Sequence, residues 1–166
     1  DTTNAHVTAN VSDVAGNAAV EATRTVILDK VVPTISIDGN LMGDNRVSAA
    51  EDNTVVISGT TVGVENGQVV TVVLHDALSA HSVTKHATVT GNVWALTGGE
   101  IADISTWTNG TITVTANVTD LVGNPASSAT KTITLDNVPP TIDIDSSLMV
   151  DNRVNAAEVN KLVASG

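Results

Sequence analysis

The sequence predicts an all-β protein: a two-sheet sandwich of short strands, present as one whole copy between two partial ones. Three observations carry this. Runs of Val, Ile and Thr alternate with polar residues at period two, as strands with one buried face do. Gly- and Asn-rich turn signals separate those runs at short intervals. And from Val7/Val114 to Gly59/Gly166 the chain repeats without a gap, 33 of 53 positions being identical at a constant spacing of 107 residues. A period of that length is a domain, not one turn of a solenoid.

In chain order, residues 7–12 alternate apolar and polar side chains as a strand. Asp13-Val14-Ala15-Gly16-Asn17 forms a turn in which Gly supplies a backbone conformation other residues resist. A second strand covers about 22–28. The chain then crosses Asp29 to Pro33, where proline fixes one dihedral and stiffens the crossing. From Pro33 onward seven strands are expected, at 34–38, 54–60, 69–75, 82–90, 92–97, 110–119 and 129–135. Ala49-Ala50-Glu51 is the one place suited to a helical turn. Seven short strands in about 105 residues match an immunoglobulin-like seven-strand β-sandwich. Its core is expected to hold Val70, Val72, Leu74, Trp94, Leu96, Ile112, Val114, Ala116 and Val118.

The repeat divides the chain. Residues 30–136 read as the complete unit, residues 1–29 as the last two strands of a preceding one, and residues 137–166 as a linker with the first two strands of a following one. Neither partial unit can bury its apolar face alone. Each is expected to be disordered, paired with a neighbouring chain, or completed by sequence outside this window.

Composition narrows the function. Eighteen Asp and Glu against seven Lys and Arg give a formal charge of −11. Nucleic acid, whose binders need a basic face, is excluded, as is an anionic membrane surface. A cation is the favoured partner. Cys is absent, so neither disulfides nor thiol chemistry are available. No signal peptide, apolar span or lipidation motif appears, and no segment suits membrane insertion.

Topology directs attention to the two ends of the sandwich. Consecutive strands run up and down, so the turn after the sixth strand lies at the pole where the first begins. Asp120 and Asn124 therefore face the incoming linker at Asp29, and Asp13 and Asn17 are their counterparts in the preceding unit. The loop after the first strand lies at the other pole, so Asp44, Asn45 and Glu51 gather near the outgoing Asp136. Asp151 and Glu158 repeat that arrangement in the following unit. Calcium suits such sites, since it takes six to eight oxygens in flexible geometry, whereas magnesium demands a strict octahedron and zinc wants His or Cys. The competing reading of Asp-x-x-Gly-Asn is an ordinary turn, with Asp accepting backbone N–H bonds. Asp38 and Asp145 are weaker candidates, and Asp103 and Glu65 read as solvated surface.

Other constellations are bland. His75, Asp76, His81 and His86 read as surface polar residues, because a zinc site needs three converging ligands and His86 lies too far along its strand. Trp94 and Trp107 read as core. Asn10-Val11-Ser12, Asn109-Gly110-Thr111 and Asn117-Val118-Thr119 match the glycosylation sequon, a match that is common in Thr-rich chains. No nucleophile–base set, phosphate-cradling loop, metalloprotease helix or EF-hand occurs. An enzyme is not expected.

Three elements together carry a resemblance: Val-Thr-Asp-Leu-Val-Gly-Asn at 118–124, Leu-Asp-x-x-x-Pro-Thr-Ile at 28–35 and 135–142, and Asp-Asn-Arg-Val-Asn-Ala-Ala-Glu at 151–158. The chain resembles the bacterial immunoglobulin-like tandem repeats of giant type I-secreted adhesins, the RTX and biofilm-associated surface proteins. Glu65-Asn66-Gly67-Gln68 and Gly91-Asn92-Val93-Trp94 extend the likeness over essentially the whole chain. The resemblance implies a stalk on the bacterial cell surface, with neighbouring repeats as partners and calcium at or near the domain junctions. It points to Asp120, Asn124, Asp29, Asp136, Asp44, Glu51, Asp151 and Glu158 as ligands. Three features depart from the family pattern. Val32-Pro33 stands where the second copy has Pro139-Pro140, residues 75–87 with three His look longer than the usual turn, and Ile112 replaces an aromatic. Two other roles stay open at this point. One is a ligand-binding module for glycan or protein, using the region with the histidines; the other is like-chain assembly through sheet edges.

Overall fold

The computed structural model describes residues 3–78, 80–146, 152–157 and 159. The chain opens with a hairpin of β1 (Thr3–Ala9) and β2 (Ala22–Leu28), whose residues are all exposed. The sandwich follows. A three-stranded sheet holds β3 (Thr34–Ile37), β5 (Ser58–Val62) and β8 (Val93–Ala95), in the order β3-β5-β8. Facing it, a five-stranded sheet holds β4 (Arg46–Ser48), β6 (Val69–Asp76), β7 (Ser82–Thr88), β9 (Gly110–Asn117) and β10 (Ala129–Asp136), in the order β4-β10-β9-β6-β7. This is the immunoglobulin-like β-sandwich the strand pattern predicts.

Period-two alternation sets the core. Val70, Val72 and Leu74 of β6 point inward with Ile112, Val114 and Ala116 of β9, against Trp94, Leu96 and Ile57 on the other side. Every side chain expected in the core is buried, Val118 included. Both tryptophans are buried as well. With so few aromatics, close approach has to come from the backbone. Gly59 sits opposite Trp94 across β5 and β8, and a Cβ there would stand 1.9 Å from the Ser36 carbonyl oxygen and 2.7 Å from Cζ2 of Trp94. Only glycine leaves room here for both the indole and the neighbouring backbone.

Two features differ from expectation. The second strand begins at Ser58 because the preceding run pairs elsewhere: Val55 makes an isolated bridge to Ala102, and both Val55 and Ile57 are buried. In addition, the first strand divides between the sheets. After β3 the chain makes a short 3₁₀ turn at Leu41–Gly43, buries Leu41, and enters β4, which runs parallel to β10 with Arg46 opposite Thr134 and Ser48 opposite Asp136. Asn45 manages the switch in a left-handed conformation (φ 64°). Its side-chain oxygen accepts the Leu41 N–H at 2.9 Å, its amide donates to the Gly39 carbonyl at 3.1 Å, and its own carbonyl accepts the Thr134 N–H at 3.0 Å. Residues 49–53 form turns, with the Asp52 N–H reaching the Ser48 carbonyl at 3.0 Å, so one helical turn stands where it is expected.

The hairpin repeats the sandwich's own β9–β10 pair. Thr3 pairs with Leu28 as Gly110 pairs with Leu135, and Ala9 pairs with Ala22 as Ala116 pairs with Ala129. Each position is displaced by the same 107 residues that separate the two sequence copies.

Candidate functional site

The turn between β9 and β10 is built on Asp120, which is 3% exposed. Its Oδ1 accepts the backbone N–H groups of Val122 (3.0 Å) and Asn124 (2.8 Å), and its Oδ2 accepts Nδ2–H of Asn124 (2.8 Å). The same Asn124 nitrogen donates to the carbonyl oxygens of Asp29 (3.3 Å) and Val31 (3.4 Å) in the incoming linker. Three oxygens from two separate segments therefore converge on one side-chain nitrogen. Burial pushes the Asp120 carboxyl up, but the hydrogen bonds from Asn124, Gly123 and Val122 outweigh it and hold the group below its ordinary value. Asp29 joins this pole through its carbonyl; its carboxylate accepts the Val31 N–H at 2.9 Å.

At the opposite pole, Asp44, Glu51 and Asp136 line one cavity of about 240 Å³ together with Arg46, Ser48 and Thr134. The parallel pairing of β4 with β10 is what brings them there. Each carboxylate is already engaged. Asp44 accepts the Arg46 N–H at 2.9 Å, and Asp136 accepts Nδ2–H of Asn109 at 3.0 Å. Glu51 accepts from the Ser48 hydroxyl at 2.7 Å and from the Ser48 N–H at 3.1 Å, which lowers its pKa. Among the described residues no three His, Asp or Glu side chains close on one point, so these carboxylates share the cavity from separate walls.

The other expected ligands lie as follows. Asn45 directs its amide into the sheet switch rather than toward Asp44 or Glu51. Asp13 and Asn17 form the hairpin's own turn with the bonds of their counterparts: Asn17 donates through its backbone and its side chain to Asp13, both at 2.8 Å. That lowers the Asp13 pKa through the Asn17 side chain first and its backbone second. Asp151 and Glu158 lie outside the described residues.

Both poles gather oxygen atoms of the class calcium binds, each of them already accepting from a protein N–H or O–H group. At the first, one carboxylate oxygen and two carbonyl oxygens converge, but on Nδ2 of Asn124, which fills the centre between them; they are hard oxygens of the kind calcium takes six to eight of, at about 2.3–2.6 Å per bond. At the second, three carboxylates line one cavity with the hydroxyl residues Ser48 and Thr134.

Comparison with solved structures places this architecture. A tetra-tandem repeat from the extending region of a large adhesion protein is similar over 88% of this chain and 36% of its own, at 28% identity and a TM-score of 0.58. The immunoglobulin-like sandwich is similar in fold to that extending-region repeat. A second structure, described as a calcium-stabilised adhesin that helps an Antarctic bacterium reach out and bind ice, shares the fold. It is similar over 94% of this chain and 37% of its own, at 22% identity and a TM-score of 0.52. The chain thus spans little more than a third of either structure. No protein-family model and no curated protein matches it.

Several polar residues of the repeat carry more than their sequence context suggests. Glu65, expected as solvated surface, accepts the Leu121 N–H at 2.8 Å and so holds the Asp120 turn. Asp76, expected as a surface residue, is buried; it accepts the N–H groups of Ala80 (2.9 Å) and His81 (3.2 Å) and faces Nδ1 of His81 at 2.8 Å. Those bonds, the His81 side chain first, lower its pKa. The His81 ring in turn stacks on Trp107 at 5.8 Å. Asp52, also buried, accepts Nδ2–H of Asn137 at 3.1 Å. A groove of about 580 Å³ runs between the β7 and β8 edges past Asp38, His86 and Glu100, but its tryptophan, Trp94, is buried and offers no stacking face.

Proposed function

We propose that the chain is a stalk segment of a large bacterial surface adhesin, lying outside the cell and stiffened by calcium at its inter-repeat joints. On this reading residues 30–136 are one complete extender repeat. Residues 1–29 are the closing strands of the repeat before it, and residues 137–166 begin the repeat after it. The role is mechanical rather than catalytic, and the direct partners are neighbouring repeats.

The observation that carries the reading is the convergence at Asn124, which joins the incoming linker to the turn that closes the sandwich. With the Asn124 amide turned so that its oxygen joins them, oxygens of Asp120, Asp29 and Val31 would hold a calcium ion at that joint, and Asp44, Glu51 and Asp136 would hold one at the other. Calcium bound there supplies positive charge that offsets carboxylate repulsion and ties linker to pole. The chain's own part is to present the oxygens. The Asp120 turn fixes one carboxylate, Pro33 limits where the linker carbonyls lie, and the β4–β10 pairing sets Asp136 beside Asp44 and Glu51. The calcium-stabilised adhesin among the similar structures supports the choice of ion.

Extracellular calcium modules bind at about 10⁻⁴–10⁻³ M. Millimolar external calcium would fill such sites while cytosolic levels would leave them empty. At ten times the dissociation constant each site adds roughly 1.4 kcal/mol, a gain that accumulates along an array. The longest strands, of eight residues, span about 27 Å, so with its loops each repeat adds roughly 40 Å of reach.

Small-angle scattering and thermal melting of the chain, in millimolar calcium and then in chelator, test the reading. A stalk joint gives a longer maximum dimension and a higher melting temperature in calcium. Curves unchanged by calcium would overturn it.

A further inference from the structure

We infer that the outgoing linker is held by a cation-independent latch formed by Asn137 and Asn109. Four hydrogen bonds build it. Asn137 donates its side-chain amide to Oδ2 of Asp52 (3.1 Å) and to the Ser105 carbonyl (3.3 Å), and its backbone N–H to Oδ1 of Asn109 (3.1 Å). Asn109 completes the set by donating Nδ2–H to Asp136, the last residue of β10, at 3.0 Å. The linker's first residue is thus tied to the turn before β9, to the crossing before that turn, and to the loop after β4.

Burial gives the latch its leverage. Asp52 is 7% exposed and its backbone carbonyl accepts the Ile104 N–H at 2.7 Å, so the loop carrying it cannot swing away freely. A carboxylate sunk that far into the protein needs a donor, and leaving it without one is costly. Within this pole Asn137 supplies one. All the groups involved belong to the protein, so the arrangement requires no ion.

Comparison of the sequence copies shows that the latch belongs to this joint. At 107 residues' distance, Thr2 stands for Asn109 and Lys30 for Asn137, so the joint after the preceding unit lacks both amides. In the following unit Val159 stands where Asp52 does, so the buried acceptor is missing there. Successive joints of the array therefore differ in kind. This one stays docked when calcium is withdrawn, while its neighbours rely on other contacts. From the stalk reading the inference takes that residues 1–29 and residues 137 onward belong to neighbouring repeats.

Amide hydrogen exchange followed by NMR on the full chain in chelator tests it. The Asn137 backbone amide should exchange about tenfold more slowly than in an unstructured peptide, and the double variant Asn109→Ala/Asn137→Ala should return residue 137 to the free rate. The Val70 amide, deep in β6, should stay protected in the variant and report an intact sandwich. Should the double variant fail to fold, Asn109→Ala alone, which removes the oxygen that accepts the residue 137 N–H, should return that amide to the free rate. Free exchange at Asn137 in the unmutated chain, or protection that survives both replacements, would overturn the latch. Because every measurement is made without calcium, failure of the calcium reading leaves this result unaffected.

Discussion

The Glu65 carboxylate accepts the backbone N–H of Leu121 at 2.8 Å, joining two turns 56 residues apart at one pole of the sandwich. Removing it releases the turn that presents Asp120. We expect Glu65→Ala to lower the melting temperature by about 2–5 °C and to speed exchange of the Leu121 amide, while Glu65→Gln keeps an acceptor and most of the effect is recovered. Equal exchange at Leu121 in all three proteins would show that the bond contributes nothing.

Gly59 is the position where the core tolerates least. A methyl group there meets the Ser36 carbonyl oxygen, which belongs to the paired backbone of β3 and cannot rotate away. Overpacking a dense core costs typically about 1–3 kcal/mol, so Gly59→Ala should reduce stability by at least about 2 kcal/mol in urea unfolding. A change below half that figure would mean that β3 and β5 can separate locally.

The carboxylates at the second pole should separate metal binding from folding. In Asp44→Asn/Glu51→Gln the oxygens that accept the Arg46 and Ser48 N–H groups remain, so the melting temperature in chelator should stay within about 2 °C of the parent. The rise on adding millimolar calcium should fall to less than half. If calorimetry gives the same calcium-induced rise in both proteins, these side chains hold no ion.

Acid should weaken the fold in a defined window. Asp76, Asp103 and Asp120 have folded pKa values below their ordinary 3.8, and Glu51 lies below 4.5. For Asp103 the cause is the Ser105 hydroxyl first and its N–H second. A carboxyl whose folded pKa is depressed stabilises the protein fully above its unfolded value, and the contribution disappears as pH falls through the folded one. The melting temperature should therefore be level from about pH 5 to 8 and drop steadily below about pH 4. Asp120→Asn should shallow that drop. A flat profile down to about pH 2.5 would contradict the hydrogen-bond pattern.

The strands were largely legible because alternation is a local property, and the core residues of β6 and β9 could be named from it. What escaped was non-local. Val47 is a single buried residue between Arg46 and Ser48, too short a run to announce β4, and the switch that delivers it needs a left-handed Asn45 that no periodicity marks. The 54–57 run has strand composition yet makes one isolated bridge, because its neighbours are decided by the sandwich and not by its own residues. At the sites, Asp120 and Asn124 were readable since they close their own turn, just as Asp13 and Asn17 do in the hairpin. The contact between Asp52 and Asn137 spans 85 residues and has no local signal.

The parallel seam between β4 and β10 has a mechanical consequence. Tension on the chain would draw β3 and β4 toward one end and β10 toward the other, each along its own axis. The three residue pairs from Arg46–Thr134 to Ser48–Asp136 would then be loaded sideways and simultaneously, instead of being peeled apart in succession. A short zipper pulled lengthwise resists far better than one opened from its end, and in this molecule that zipper bridges the two strands through which any pull must pass.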